Sequence, residues 1–317
     1  MQNAGLLPLV DFENLPVSGF GDVLPKYFKL RRSFNALRSA LESPDCLGLV
    51  AIDYPGFNMK LVARAGELCK PALYVAPPQV WAWKKKRAAE LAKNPFAKLA
   101  VFFDFEESVY RDAGCNVVRV RHPFVEIKNE NCRGDASIQV LLLPGSRKAQ
   151  AMRNLPIYLN AVQDAKNVVV VAARQELVNS FKKFKVPVVV APQSAGERMA
   201  LYQSAEYALT APGTSTLELA LSGASFMVCT KPDLLTYCLG RLFIKTKFFA
   251  LPNIILNRLV FSEHIVPPWL GLKWQLKKDF GVKENVSKEL SEKLAVGKSF
   301  DQLALEFLGQ FVQGKTQ

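Results

Sequence analysis

Nine short apolar runs, each four to seven residues long and separated by stretches of helical character, constrain this 317-residue chain more than any other feature. The first series is CLGLVAI (46–52), PALYVA (71–76), LAVFF (99–103) and VVRV (117–120); the second is IQVLLLP (138–144), NVVVVAA (167–173), VPVVVAP (186–192), YALTA (207–211) and SFMVCT (225–230). Runs of this kind suit strands buried on both faces, and their alternation with helices predicts parallel sheets covered by helices, an α/β class. The polar stretch EIKNENCRGDAS between the series reads as a linker. Two Rossmann-like domains are therefore expected, 1–125 and 138–317, joined by 126–137 and leaving a cleft. Amphipathic helices close the second domain.

Composition narrows the function. Half of the residues are hydrophobic, enough for two substantial cores, and the formal net charge of +13 points to an anionic partner: nucleic acid, a phospholipid surface or a phosphorylated substrate. No zinc-finger, RNA-recognition or regularly spaced basic-helix signature is present, so nucleic acid is not the expected partner. Six cysteines without a CxxC pair, and only two histidines, read as thiols in a reducing cytoplasm rather than as a metal cluster. With no apolar stretch of about 18 residues and no signal-peptide pattern, the chain is not expected to span a membrane.

Several strand ends carry residues suited to chemistry. LLLPGSRKAQ sets Gly145, Ser146 and Arg147 after an apolar strand, where a helix N-terminus offers N–H groups to an anion; an ordinary turn with a solvated arginine is the simpler alternative. PGTSTLELAL repeats that logic: Gly213, Thr214, Ser215 and Thr216 could hold a diphosphate and Glu218 could accept from ribose hydroxyls, or a capped helix could carry a solvated glutamate. In VAIDYPGFN, Asp53 is a candidate general base, or a turn residue. YVAPPQVWAWKKKR pairs Trp81 and Trp83 with cations including Lys84 and Arg87, a combination for an acylated, phosphorylated sugar or a membrane interface, or for a basic helix with one indole in the core. GQFVQGKT (309–316) matches the P-loop expression, but no strand and helix can frame it so near the last residue. A GxGxxG after the early strands is absent, which weakens a dinucleotide enzyme.

Taken together, MQNAGLLPLVDFENLPVSGFGDVLPKYFKLRRSF, VAIDYPGFN, YVAPPQVWAWKKKR, LLLPGSRKAQ, APGTSTLELAL and LTYCLGRLFIKTKFFALPNIILNR occur in an order and spacing that resembles the lipid-A-disaccharide synthase family, from Met1 to about residue 270. The resemblance implies a GT-B glycosyltransferase, two Rossmann-like domains whose parallel sheets face a cleft. It implies joining of UDP-2,3-diacylglucosamine to 2,3-diacylglucosamine 1-phosphate with inversion and release of UDP, needing neither metal nor cofactor. Asp53 matches the family's important aspartate, Arg147 its arginine, Glu218 its helix glutamate and Asn253 the asparagine of its Leu-Pro-Asn segment. The expected place of work is the cytoplasmic face of an inner membrane, on an anionic surface, with a homodimer left open. This chain departs from the family at Gly56, where an acidic residue is usual, at Gln150 for Glu, at Arg121 for Gly, and by one residue in APPQV. Met1 aligns inside the first domain, so its usual first strand and Gly/Ser loop are expected to be missing, with lower stability and weak synthesis. Another UDP-sugar enzyme of the same fold, such as a UDP-N-acetylglucosamine epimerase, and an inactive lipid- or UDP-sugar-binding relative are the alternatives.

Overall fold

Among the described residues, each of the nine apolar runs forms a parallel strand, and a tenth strand joins them. The computed structural model describes residues 9–10, 23–81, 86–127, 138–243, 246–270 and 285–313. In chain order, α1 (Val23–Glu42) precedes β1 (Leu49–Ile52), α2 (Pro55–Glu67), β2 (Ala72–Val75), α3 (Lys86–Ala92), β3 (Ala97–Val101), α4 (Asp104–Asp112) and β4 (Asn116–Arg119). These strands make one sheet in the order β1-β2-β3-β4. Tyr74, Leu99, Val101 and Tyr110 fill the core on one side of it, against Val62 and Ala65 of α2. At the β1 end of the sheet, Val50 and Ile52 are exposed.

The second series gives β5 (Ile138–Leu143), α5 (Lys148–Ala161), β6 (Val168–Ala172), α6 (Gln175–Phe181), β7 (Val188–Val190), α7 (Ala195–Gln203), β8 (Ala205–Thr210), α8 (Thr214–Leu221), β9 (Phe226–Thr230), α9 (Leu234–Phe243), α10 (Leu251–Leu256), β10 (Glu263–Ile265) and α11 (Val286–Leu294). Their sheet runs β10-β9-β8-β5-β6-β7, all parallel. The chain thus winds outward from β5 through β6 and β7, then returns to the other side of β5 as β8. That reversal is a topological switch point, where open α/β sheets leave a crevice at the strands' carboxyl ends. Buried Asn154 of α5 fixes the rim of this edge: its Nδ2 donates to the Pro144 carbonyl at 2.8 Å and its Oδ1 accepts from the Lys231 N–H at 2.8 Å, tying the ends of β5 and β9 together.

The last helix, α12 (Phe300–Gln313), departs from the order expected of the chain. The compact units are His122–Ala295 on the one hand and, on the other, the chain up to Arg121 together with the chain from Val296. A division that assigns everything after residue 138 to the second domain is therefore corrected for the final helix. The cause is apolar: Leu303 and Phe307 of α12 pack on Leu73, Val75 and Ala100, covering the other face of the first sheet. Gly309 lies inside this helix, so the P-loop-like string opens in helical backbone rather than in a loop after a strand.

At the start of α4 a carboxylate takes over a capping task. The N-cap residue Phe103 has no side-chain oxygen, and buried Glu106 reaches back so that its Oε2 accepts from the Phe102 and Phe103 N–H groups at 3.2 and 3.3 Å. Burial pushes its carboxyl up to about 7, although those two N–H groups, Arg119 and the Trp81 indole pull the other way. The folded state therefore keeps a proton that the unfolded chain releases above the ordinary glutamate range. Stability of this unit should be fully present below about pH 4.5 and fall by up to roughly 1.4 kcal/mol per pH unit towards pH 7. Denaturation midpoints measured from pH 5 to 8 should show that decline in the parent and a flattened profile in Glu106→Gln.

Candidate functional site

The reversal of strand order brings two glycine turns to one place. After β5, Gly145 takes φ +117°, a conformation that side chains disfavour, and a Cβ there would come within 3.0 Å of Gln150 Oε1. After β8, Gly213 adopts φ 153° and ψ −166°, a region essentially reserved for glycine, and nothing lies within 4 Å of where a Cβ would stand. Each turn opens a helix: Arg147 is the N-cap of α5 and Gly213 the N-cap of α8, neither with a side-chain capping bond. The N-termini of both helices, the positive ends of their dipoles, therefore open on one cleft of about 680 Å³, within the size range of small-molecule sites. Gly145, Ser146, Arg147, Gly213, Thr214 and Ser215 all line it. Arg174, at the start of α6, donates to the Ser146 carbonyl at 3.1 Å and holds the first turn in place.

A charge pair that sequence reasoning missed forms another wall. Arg198 of α7 grips the buried Glu218 carboxylate, with Nε at 3.0 and 3.2 Å from its two oxygens and Nη2 at 2.5 Å from Oε1. The same guanidinium donates through Nη1 to the carbonyls of Pro192 and Gln193 at 3.0 and 2.7 Å. Tyr202, one turn further along α7, donates its hydroxyl to Glu218 Oε2 at 3.2 Å. Arg198 thus ties the loop after β7 to α8, and the carboxylate holds the Arg198 guanidinium further above its ordinary range. Burial, reinforced by that charge, drives the Tyr202 hydroxyl far up. Arg198 and Tyr202 stand at i and i+4, a spacing that puts them on one helical face; no sequence signal pairs that face with Glu218.

Not every expected site residue reaches this cleft. Thr216 is buried and donates back to the Gly213 carbonyl at 2.7 Å, so it shapes the turn rather than lining the cavity. Asn253 does not line this cleft either. Its Nδ2 donates to the Phe261 carbonyl and to Glu263 Oε1, both at 2.7 Å, and its Oδ1 accepts from the Val260 and Phe261 N–H groups at 2.9 and 3.0 Å. Its amide is spent on knotting α10 to the segment before β10.

In the first unit, Asp53 follows β1 with φ +47°, and Tyr54 after it has φ +46°. Two successive left-handed, non-glycine residues are a strained turn, kept because the backbone is over-determined. Asn58 Nδ2 donates to the Ile52 and Asp53 carbonyls at 2.9 and 2.8 Å, and the Tyr74 hydroxyl donates to the Asp53 carbonyl at 3.1 Å. The Asp53 carboxylate is left exposed at the strand's carboxyl end. Trp81 packs edge-on against Phe105 with ring centroids 5.0 Å apart, the inward reading of that tryptophan. Arg87 is half-buried on α3, its charge felt by Tyr74 and Tyr110. Trp83 and Lys84 lie outside the described residues.

A family model described as Lipid-A-disaccharide synthetase matches residues 1–296. A lipid-A-disaccharide synthase of Nitrosococcus oceani is 33% identical over 285 residues, covering 84% of this chain and 73% of the relative. Lipid-A-disaccharide synthase 1 of Legionella pneumophila is 30% identical with the same two coverages. The lipid-A-disaccharide synthase of Persephonella marina is 28% identical over 95% of this chain and 88% of its own. Among solved structures, Glycyrrhiza uralensis UGT73P12 complexed with glycyrrhetinic acid 3-O-monoglucuronide aligns with a TM-score of 0.52 at 12% identity, covering 98% of this chain and 84% of that one, a likeness of fold within the GT-B class. Matched by its model over residues 1–296, with strand ends that carry the turns described above, the chain belongs to the lipid-A-disaccharide synthetase family.

Proposed function

We propose that the chain is an inverting hexosyltransferase that joins UDP-2,3-diacylglucosamine to 2,3-diacylglucosamine 1-phosphate. The observation that carries this reading is the convergence of two glycine-opened helix N-termini and Arg147 on one cleft, a cradle for a diphosphate. Ser146, Thr214 and Ser215 add hydroxyl and backbone donors, and Glu218 accepts from the ribose hydroxyls beyond the phosphates. In the reaction the acceptor 6-hydroxyl oxygen bonds to the donor's anomeric carbon and its proton passes to the Asp53 carboxylate. The bond from that carbon to the diphosphate oxygen breaks, and its electron pair leaves on UDP. Arg147 and the helix N-termini stabilise that departing charge. The enzyme works peripherally at the cytoplasmic face of the inner membrane, where its acylated substrates reside; among the described residues no helix is long and apolar enough to cross a membrane.

Formation of the disaccharide from the two acylated substrates, followed by mass spectrometry, tests the reading as a whole; release of UDP without disaccharide would overturn it. Arg147→Ala should weaken UDP binding roughly 10- to 100-fold in calorimetry and leave thermal unfolding unchanged, because the side chain is exposed. Asp53→Asn keeps the shape, and asparagine tolerates the left-handed turn, so UDP affinity should hold while turnover drops about 10²- to 10⁴-fold. Arg198→Met strands the Glu218 carboxylate in a buried position and should cost about 3 kcal/mol of stability along with UDP affinity. Adding Glu218→Gln should restore the denaturation midpoint without restoring UDP binding, which separates the packing role of the pair from its ligand role.

A further inference from the structure

Helix α9 is built inside out. Leu234, Leu235, Cys238, Leu239 and Leu242 recur at the spacing that gathers five side chains on one arc of a helix, the arc an ordinary surface helix turns to the core. Here it faces solvent: Leu234 is 59% exposed, Leu235 64%, Leu239 44% and Leu242 71%, and Cys238 is exposed as well. Tyr237 and Gly240, on the opposite side, are only half-buried, so the helix rests on the unit without inserting its apolar stripe. The patch extends beyond the helix. Trp269, 66% exposed, packs edge-on against Tyr237 with ring centroids 5.4 Å apart, and exposed Leu270 is held next to it by Lys231, whose Nζ donates to the Leu270 carbonyl at 3.2 Å.

We propose that α9 together with Trp269 and Leu270 is the surface by which the protein docks on an anionic lipid bilayer, an assignment that rests on the peripheral membrane reading above. Three observations select lipid over a protein partner. The arc is made only of Leu and Cys side chains and offers no strong hydrogen-bonding group, whereas protein interfaces carry about one hydrogen bond per 100–200 Å². Its margin holds a tryptophan and the cations Lys231 and Arg241, so apolar centre, indole and positive charge follow the depth order of acyl chains, interface and phosphate head groups. Asp233, the acidic residue at the helix start, faces Arg153 at 3.4 Å and caps Thr236, which leaves the margin positive, in keeping with a chain of net charge +13.

The test is flotation with vesicles of three parts phosphatidylethanolamine to one part phosphatidylglycerol, compared with vesicles of phosphatidylcholine alone, at low and at 0.5 M salt. The parent should partition to the anionic vesicles and release as salt rises. The triple variant Leu235→Ser, Leu239→Ser, Leu242→Ser should lose on the order of 100-fold in partitioning, since each leucine withdrawn from the interface forfeits about a fivefold gain. Thermal unfolding and UDP binding of the variant should match the parent, because these side chains are exposed and none lines the nucleotide cleft. A parent that binds neither vesicle overturns the membrane reading itself. A parent and variant that float equally leave that reading standing and overturn the assignment to α9. A variant that instead changes from dimer to monomer in sedimentation also overturns it, by making the arc a contact between copies of the chain.

Discussion

The pairing of β5 with β8 is the constraint on which the second unit depends. Leu143 lies opposite Thr210 in that ladder, so the two strands end at the same level and their outgoing turns open side by side. Because the strands are parallel, both turns lead into helix N-termini, and both helix dipoles point their positive ends into the same crevice. Gly145 and Gly213 then serve different needs: the first leaves room beside Gln150 and the second permits a backbone that no other residue adopts readily. Asn154 contributes at one remove, since a buried amide bridging the ends of β5 and β9 keeps this edge of the sheet from splaying.

Much of this was legible in the sequence because a doubly buried parallel strand leaves an unbroken apolar signature. All nine such runs became strands, whereas β10 carried no such signature: it is three residues long and begins with Glu263, whose carboxylate accepts from the Phe249 and Ala250 N–H groups at 2.9 and 2.8 Å. Turn chemistry located Gly145, Ser146, Arg147 and Gly213 for the same local reason. Side chains whose partners lie outside their own motif were not legible. Asn253 reads like a ligand in its Leu-Pro-Asn segment, yet its four hydrogen bonds go to neighbours seven to ten residues ahead. Arg198 is one of 41 basic residues, and nothing local marks it as the one that meets a carboxylate 20 positions away. The placement of α12 was hidden too, because an amphipathic pattern fixes which face is buried and not which sheet buries it.

Asp53 illustrates a different kind of signal. Sequence alone gives an aspartate before a Pro-Gly pair, which ordinary turns also use. The structure adds two left-handed residues in a row, held by Asn58 and Tyr74 through three hydrogen bonds to the backbone carbonyls of Ile52 and Asp53. Strain of this sort costs on the order of 1–3 kcal/mol per residue. It persists where the surrounding structure enforces it, and here the enforcement leaves the carboxylate presented to solvent at a strand's carboxyl end while the backbone beneath it is immobilised.

The Arg198–Glu218 pair resolves an electrostatic conflict in the proposed donor site. A carboxylate is useful there as an acceptor for sugar hydroxyls, but it stands about one turn from a helix N-terminus meant for phosphates. Two like unit charges about 6 Å apart at an effective dielectric of 20 repel by roughly 3 kcal/mol, enough to cancel much of what a helix N-terminus offers. Bidentate pairing with Arg198 neutralises that field without consuming the carboxylate, since each oxygen can accept more than one hydrogen bond. The same guanidinium holds two carbonyls of the loop after β7 and so turns them away from the anion-binding space. In the proposed donor site one arginine thus lets a carboxylate and two helix N-termini share a single cleft, which is why a nucleotide reading of this site depends on a residue that no motif announced.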